Sequence, residues 1–258
     1  MKLSITADLD YTIPDACDLL LQLEAAIIPE QTVMNAYIDL PPSDHFARIP
    51  GHDTIGDRLW MRMQGQLKVR YTATVEIHRL TADIAQLEAV PPHMLPAEAV
   101  EYMLPSRFCP SDTFGDIVAN QFGHLSGGAR VAAMRDWIQQ NLKYEAGISV
   151  ATTDAMDTYN ARAGVCRDFA HLMVTMTRAS AIPARFAAVY GLGVEPQDFH
   201  AVAEVFLDNT WYIVDATGMS RPDAMAKIGI GRDAADVSFL TSYGPALLNS
   251  QSVMVSEV

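Results

Sequence analysis

The sequence predicts an α+β protein, with a β-rich unit ahead of a domain that opens on helices and closes on an antiparallel sheet. Three observations carry this. Residues 1–90 alternate apolar and polar positions at period two, a proline-rich passage follows, and beyond it helical periodicity gives way to three strand-like segments.

The first element is "KLSITADLDY", where Leu3, Ile5, Ala7, Leu9 and Tyr11 share one parity, as a half-buried strand requires. Segment 16–26, "ACDLLLQLEAA", is Leu-rich and suits helix or buried strand; strand is the preferred reading. "QTVMNAYIDL" (31–40) and "LKVRYTATVEIHRL" (67–80) alternate like the first, and "PPSDHFARIPGHD" between them is rich in turn residues. The passage "AVPPHMLPAEAVEYMLPSRFCPSD" (89–112) holds five prolines and no sustained period, so a domain boundary is expected near residue 100.

Helices come next. "SGGARVAAMRDWIQQNLKY" (126–144) offers Ser126 as a cap and lines up Val131, Met134, Ile138 and Leu142. In "CRDFAHLMVTMTR", Phe169, Leu172, Met173 and Met176 form a second apolar stripe. The strand-like pieces "ARFAAVYGL", "HAVAEVFL" and "WYIVDAT" follow. The expected organisation is a β-rich domain over 1–100, a helix-plus-sheet domain over 101–245, and a strand over 246–258 that returns to the N-terminal sheet.

Half of the 258 residues are hydrophobic and 19% are charged, an ordinary globular composition. A net charge of −13 argues against a general nucleic-acid or anionic-membrane binder. Cys17, Cys109 and Cys166 are odd in number and far apart, so they form neither a disulfide framework nor a CxxC metal pattern. The N-terminus lacks an apolar signal core and no apolar run reaches membrane-spanning length. A reduced, cytoplasmic setting is the expectation.

Cys166 begins its helix, where the positive end of the helix dipole and unpaired N–H groups favour a thiolate. Gly164 allows a tight approach just before it. A free cysteine is more often a small buried apolar residue, so the strands must supply the argument for chemistry. "HAVAEVFLDNTWYIVDAT" (200–217) reads as a hairpin with Asp208-Asn209 at the tip. If Leu207 pairs with Thr210, Val202 falls opposite Asp215, and His200 shares a face with both. His200 and Asp215 are then diagonal neighbours within reach of a hydrogen bond. An acid on one imidazole nitrogen leaves the other free to take a proton from a thiol, the logic of a Cys-His-Asp triad.

Other residues are assigned ordinary roles. His171 lies off the Cys166 face and reads as structural, Asp168 suits the first helical turn, and Arg167 suits a neighbouring carboxylate. His45, His52, His78, His93 and His124 show no HxH or HxxxH spacing, and Cys166, Asp168 and His171 project over different sides of one helix. No metal site or cofactor is expected. "YGLGVE" has a GxG but no strand–GxGxxG–helix context.

"GVCRDFAHLMVTMTRASAIPARF" resembles the cysteine segment of the transglutaminase-like superfamily, specifically its bacterial "putative cysteine protease" branch, which typically shows Gly-Val-Cys-x-Asp-Phe-Ala-His, a helix, then Gly-Ile-Pro-Ala-Arg. "HAVAEVFLDNTWYIVDAT" is similar to the family's His-Ala-Trp-x-Glu-Val and Asp-Pro-Thr blocks, and "YMLPSRFCPSD" and "GRDAADVSFL" resemble segments bracketing the core. The resemblance covers most of the chain and implies a papain-like transglutaminase core behind a β-rich domain. It implies Cys166 as nucleophile, His200 as general base and acid, and Asp215 as the orienting acid. Val202 and Ala216 depart from the family's Trp and Pro, and Val202 in place of Trp is expected to reshape the pocket beside His200. The expected function is thiol-dependent amide or peptide hydrolysis on a peptide or protein substrate. The alternatives are a protein-amine transglutaminase or other acyltransferase, and a non-catalytic interaction module that keeps the fold.

Overall fold

The computed structural model describes residues 1–258. Its first sheet is built on β1 (Lys2–Leu21) and β4 (Asp57–Ile77), which run antiparallel from Lys2↔Glu76 to Leu21↔Leu59. Leu3, Ile5, Ala7, Leu9, Tyr11 and Ile13 are all buried, opposite Val75, Ala73, Tyr71, Val69, Leu67 and Gly65. The ladder then slips. Ile13 to Cys17 spans four residues while Gly65 to Met63 spans two, so β1 carries an even excess. An even insertion keeps parity, which is why Cys17, Leu19 and Leu21 stay on the buried face. Gly65 takes φ 101° at this point, a conformation that other residues rarely adopt.

β2 (Gln31–Asp39) and β3 (His45–Pro50) share the other edge of β4, along separate stretches. The Leu-rich segment after Ala16 extends β1 to Leu21 as strand.

Helical structure begins with the short α1 (Ala97–Val100), then α2 (Gly115–Phe122) and α3 (Gly127–Asn141). Val131, Met134, Ile138 and Leu142 are buried as the stripe requires. Ser126 stands at the cap position of α3, but its side chain makes no capping bond. The helix also stops at Asn141, because Lys143–Tyr144 forms β5 and pairs in parallel with β6 (Ala163–Gly164). Between them lies α4 (Ala155–Ala161), started by Asp154, whose side chain accepts the Met156 and Asp157 N–H groups.

α5 (Cys166–Arg178) packs on a four-stranded antiparallel sheet. The strands are β7 (Ala184–Gly191), β8 (His200–Leu207), β9 (Thr210–Val214) and β10 (Met225–Gly231), in the order β10-β7-β8-β9. Ala203, Val205 and Leu207 meet Phe169, Leu172, Met173 and Met176. Burial extends beyond the apolar stripe, since every residue from Asp168 to Arg178 is buried. The charged Arg178 is tolerated there because it is bonded, donating to the carbonyls of Ala184, Leu104 and Arg232.

The chain then returns to the first sheet. β11 (Leu240–Ser242) pairs with Leu19–Leu21, and β12 (Leu247–Glu257) pairs with β1 from Leu3↔Glu257 to Thr12↔Leu247. A buried ionic chain ties the two sheets. Glu204 accepts Arg185 Nε at 2.7 Å and meets Lys227, which also meets Glu30; Glu30 in turn holds Arg79 at 3.0 Å. No helix is long and apolar enough to cross a membrane.

Candidate active site

The entry to α5 is set by two contacts. Tyr144 pairs with Gly164 across the β5–β6 bridge. Asp168 Oδ2 accepts the Val165 N–H at 2.8 Å, closing the first helical turn. Gly164 lies against that carboxylate, and a Cβ there would stand 2.8 Å from Asp168 Oδ2. Asp168 Oδ1 takes Arg167 Nη2 at 3.0 Å, so this acid is spent on structure. Cys166 is left half-buried at the helix start, with its Sγ toward the Phe199 carbonyl oxygen at 3.9 Å.

Phe199 precedes His200, the first residue of β8. The hairpin that follows has the expected two-residue tip: Asp208 and Asn209 take φ 46° and 58°, and Leu207 pairs with Thr210. The ladder runs to Ala203↔Val214, and one step on, Asp215 faces back to His200. His200 Nε2 is 3.0 Å from Asp215 Oδ2, and both side chains are buried. A carboxylate only accepts, so Nε2 carries the proton. Nδ1 has no hydrogen-bond partner and is turned to the Cys166 side chain.

The electrostatics follow from burial and pairing. Burial opposes a charged imidazole, but the Asp215 hydrogen bond and the Cys166 side chain outweigh it, and the His200 pKa is raised to about 9. Burial also raises Asp215, yet His200 and Thr217 pull its carboxyl below the usual range. Asp215 Oδ1 accepts Thr217 N at 2.9 Å and Oγ1 at 2.7 Å, and Oδ2 accepts Ser220 N at 3.1 Å. That shell fixes the acid in one pose.

Three contributors are invisible to linear spacing. Tyr144 was expected at the end of a helix; instead the β5–β6 bridge carries it next to Cys166, close enough for each side chain to influence the other. Burial, and then Cys166, push that phenol up to about 12. Thr217 and Ser220 act on Asp215 through turns that no periodicity reveals.

His171 and His52 have other employment. His171 is fully buried, stacks on Phe108 at 5.2 Å and accepts the Ala234 N–H at 3.1 Å. Burial drops its pKa to about 4, so it is neutral near pH 7. His52, Asp53 and Glu101 approach within 4.8 Å of one another, although their spacing does not suggest it. His52 is 3.2 Å from Glu101, and Tyr102 donates to Asp53 at 2.6 Å, so those atoms already have partners. Val202 is fully buried among Ala187, Val189 and Ile213, and Ala216 lies in the apolar layer under α5. Both departures are absorbed by packing.

The family model described as the transglutaminase-like superfamily matches residues 117–216, a span that contains Cys166, His200 and Asp215. Among solved structures, the chain is similar to one named "Putative Cysteine Protease" from Cytophaga hutchinsonii. The two are 30% identical over 99% of this chain and 90% of that one, with a TM-score of 0.91. The periplasmic domain of TgpA from Pseudomonas aeruginosa bound to ethylmercury matches at 18% identity over 83% of this chain and 77% of that one, with a TM-score of 0.42. An uncharacterized protein of Mycobacterium leprae is 28% identical over 149 residues, 54% of this chain, and the match spans about half (53%) of that protein's length.

Proposed function

The chain belongs to the transglutaminase-like superfamily, in its bacterial "putative cysteine protease" branch, and from that premise we propose a thiol-dependent acyl-transfer enzyme that hydrolyses amide or peptide bonds through a Cys166 thioester. One observation carries the reading: the Asp215 carboxylate holds His200 by Nε2 at 3.0 Å and leaves Nδ1 unpartnered toward the thiol. An imidazole held by an acid at one nitrogen, with the other open toward a thiol, is the arrangement that proton transfer to and from sulfur requires.

In this reading the proton of the Cys166–His200 pair rests on His200 before substrate arrives, and the Cys166 thiolate attacks the substrate carbonyl carbon. The carbonyl π pair moves onto oxygen, and the Cys166 N–H and the Tyr144 hydroxyl receive that oxyanion. The imidazolium gives its proton to the leaving amine as the C–N bond breaks, which forms the thioester. Water then attacks, losing a proton to His200, and the acid departs as the thiolate leaves, which restores the Cys166–His200 pair. Asp215 keeps the imidazole in one tautomer and offsets its charge throughout.

Iodoacetamide near neutral pH tests the activated thiol, with the other two cysteines as internal controls. Burial pushes the Cys17 thiol up and the Cys109 thiol up to about 12. Cys166 is expected to alkylate at least about tenfold faster than either, and H200A to slow it. Equal rates at all three, unmoved by H200A, would remove the proposal.

A further inference from the structure

The loop that delivers His200 carries an acid that the reaction does not use. Asp198 immediately precedes Phe199, whose carbonyl oxygen receives the Cys166 thiol. Its carboxylate is held through one oxygen only: Oδ1 accepts the Phe199 N–H at 2.7 Å and Gln251 Nε2 at 2.5 Å. Gln251 belongs to β12, and Gln197 beside Asp198 also donates to the Val255 carbonyl at 3.3 Å, so the loop rests on the C-terminal strand. Two donors on one oxygen fix the pose and leave Oδ2 without a partner, on an exposed residue with no Lys or Arg paired to it.

On one side, Asp198 is one residue from Phe199, whose carbonyl oxygen lies 3.9 Å from the Cys166 sulfur; on the other it is held by Gln251, which pairs with Leu9 of β1. The carboxylate therefore stands between the Cys166 rim and the N-terminal sheet. Charges next to the nucleophile are otherwise matched, Arg167 with Asp168 and His200 with Asp215. An oriented, unmatched negative charge beside a reactive thiol favours a positive partner and repels an acidic one.

Resting on the acyl-transfer reading above, we propose that Asp198 is a specificity residue that selects substrates carrying an ammonium or guanidinium group next to the bond Cys166 attacks. That cation has two sources, a basic side chain in the acyl donor or the far end of a diamine acting as acyl acceptor. Each source has its own arm in the test.

In the donor arm, intact-mass kinetics follow Cys166 labelling by three peptidyl acyloxymethyl ketones that differ only in bearing Lys, norleucine or Glu beside the warhead. In the acceptor arm, an acyl-enzyme formed from a neutral ester is partitioned between 1,5-diaminopentane and n-pentylamine. The variant is D198N, whose amide oxygen still accepts from Phe199 and Gln251 while the charge is gone. The natural protein is expected to favour the cationic member of at least one arm by about fivefold, the upper range for an exposed charge pair, and D198N to bring that ratio near one. Added salt should shrink the preference in the natural protein. A cation preference absent from both arms, or one that D198N leaves intact while both rates change together, assigns Asp198 to loop structure and overturns the proposal. If no probe labels Cys166 faster than Cys17 or Cys109, the acyl-transfer reading fails first and this inference falls with it.

Discussion

His200 sits between influences of opposite sign. Burial disfavours its charged form, while the Asp215 hydrogen bond and the Cys166 side chain favour it more, raising the pKa from 6.5 to about 9. A histidine raised in this way keeps its proton through neutral pH, and its contribution to stability is complete below about 6.5 and lost as pH rises through about 9. In the proposed reaction His200 would lose its role as general acid over the same upper range, so kcat/KM is expected to fall above about pH 9. D215N should lower kcat/KM by about 10²–10⁴-fold and move that limb toward lower pH. A limb unmoved in D215N would detach it from His200. Two of these residues were legible from the chain alone, because alternation on a two-residue hairpin puts His200 and Asp215 on one face. Tyr144 was not, since it reaches Cys166 only through a parallel bridge between residues twenty apart in sequence.

The hairpin of β8 and β9 converts turn chemistry into site geometry. Asp208 and Asn209 accept positive φ more readily than most residues, and the two-residue tip sets Leu207 opposite Thr210. Register is exact in consequence. One glycine inserted after Asn209 would shift β9 by one residue and turn Asp215 to the opposite face. That variant is expected to keep its circular dichroism spectrum and lose amide hydrolysis, whereas N209G should retain both. Full hydrolysis in the insertion variant would show that the Asp215 pairing is dispensable. The apolar stripe of α5 was equally legible in Phe169, Leu172, Met173 and Met176, but the burial of its other side was not. Residues such as Arg178 read as solvent-facing until the carbonyls of Leu104, Ala184 and Arg232 arrive from distant segments. The end of α3 was likewise hidden, because Lys143 leaves the helix for a partner at Ala163.

At the scale of the molecule, the two sheets are joined by polar contacts as well as by apolar packing. Glu204 is pulled down to about 2 against its burial by Lys227 and Arg185, and Glu30 is lowered by Lys227 and Arg79. These partners lie far apart along the chain, so no local pattern announces them, whereas the alternating strands and the proline-rich passage near residue 100 are local and readable. Separate contacts, from Gln251 and Gln197, hold the C-terminal strand β12 against the loop that ends at His200. Fold and site are thus one mechanical unit: the N-terminal sheet braces β12, β12 braces the loop, and the loop sets His200 beside Cys166. The most direct measurement of the central claim is intact mass spectrometry of the protein quenched during turnover of a p-nitrophenyl ester, with peptide mapping of any adduct. The acyl mass is expected on Cys166, forming in a burst and absent in C166A. An acyl group on any other residue, or steady turnover in C166A, would contradict the account.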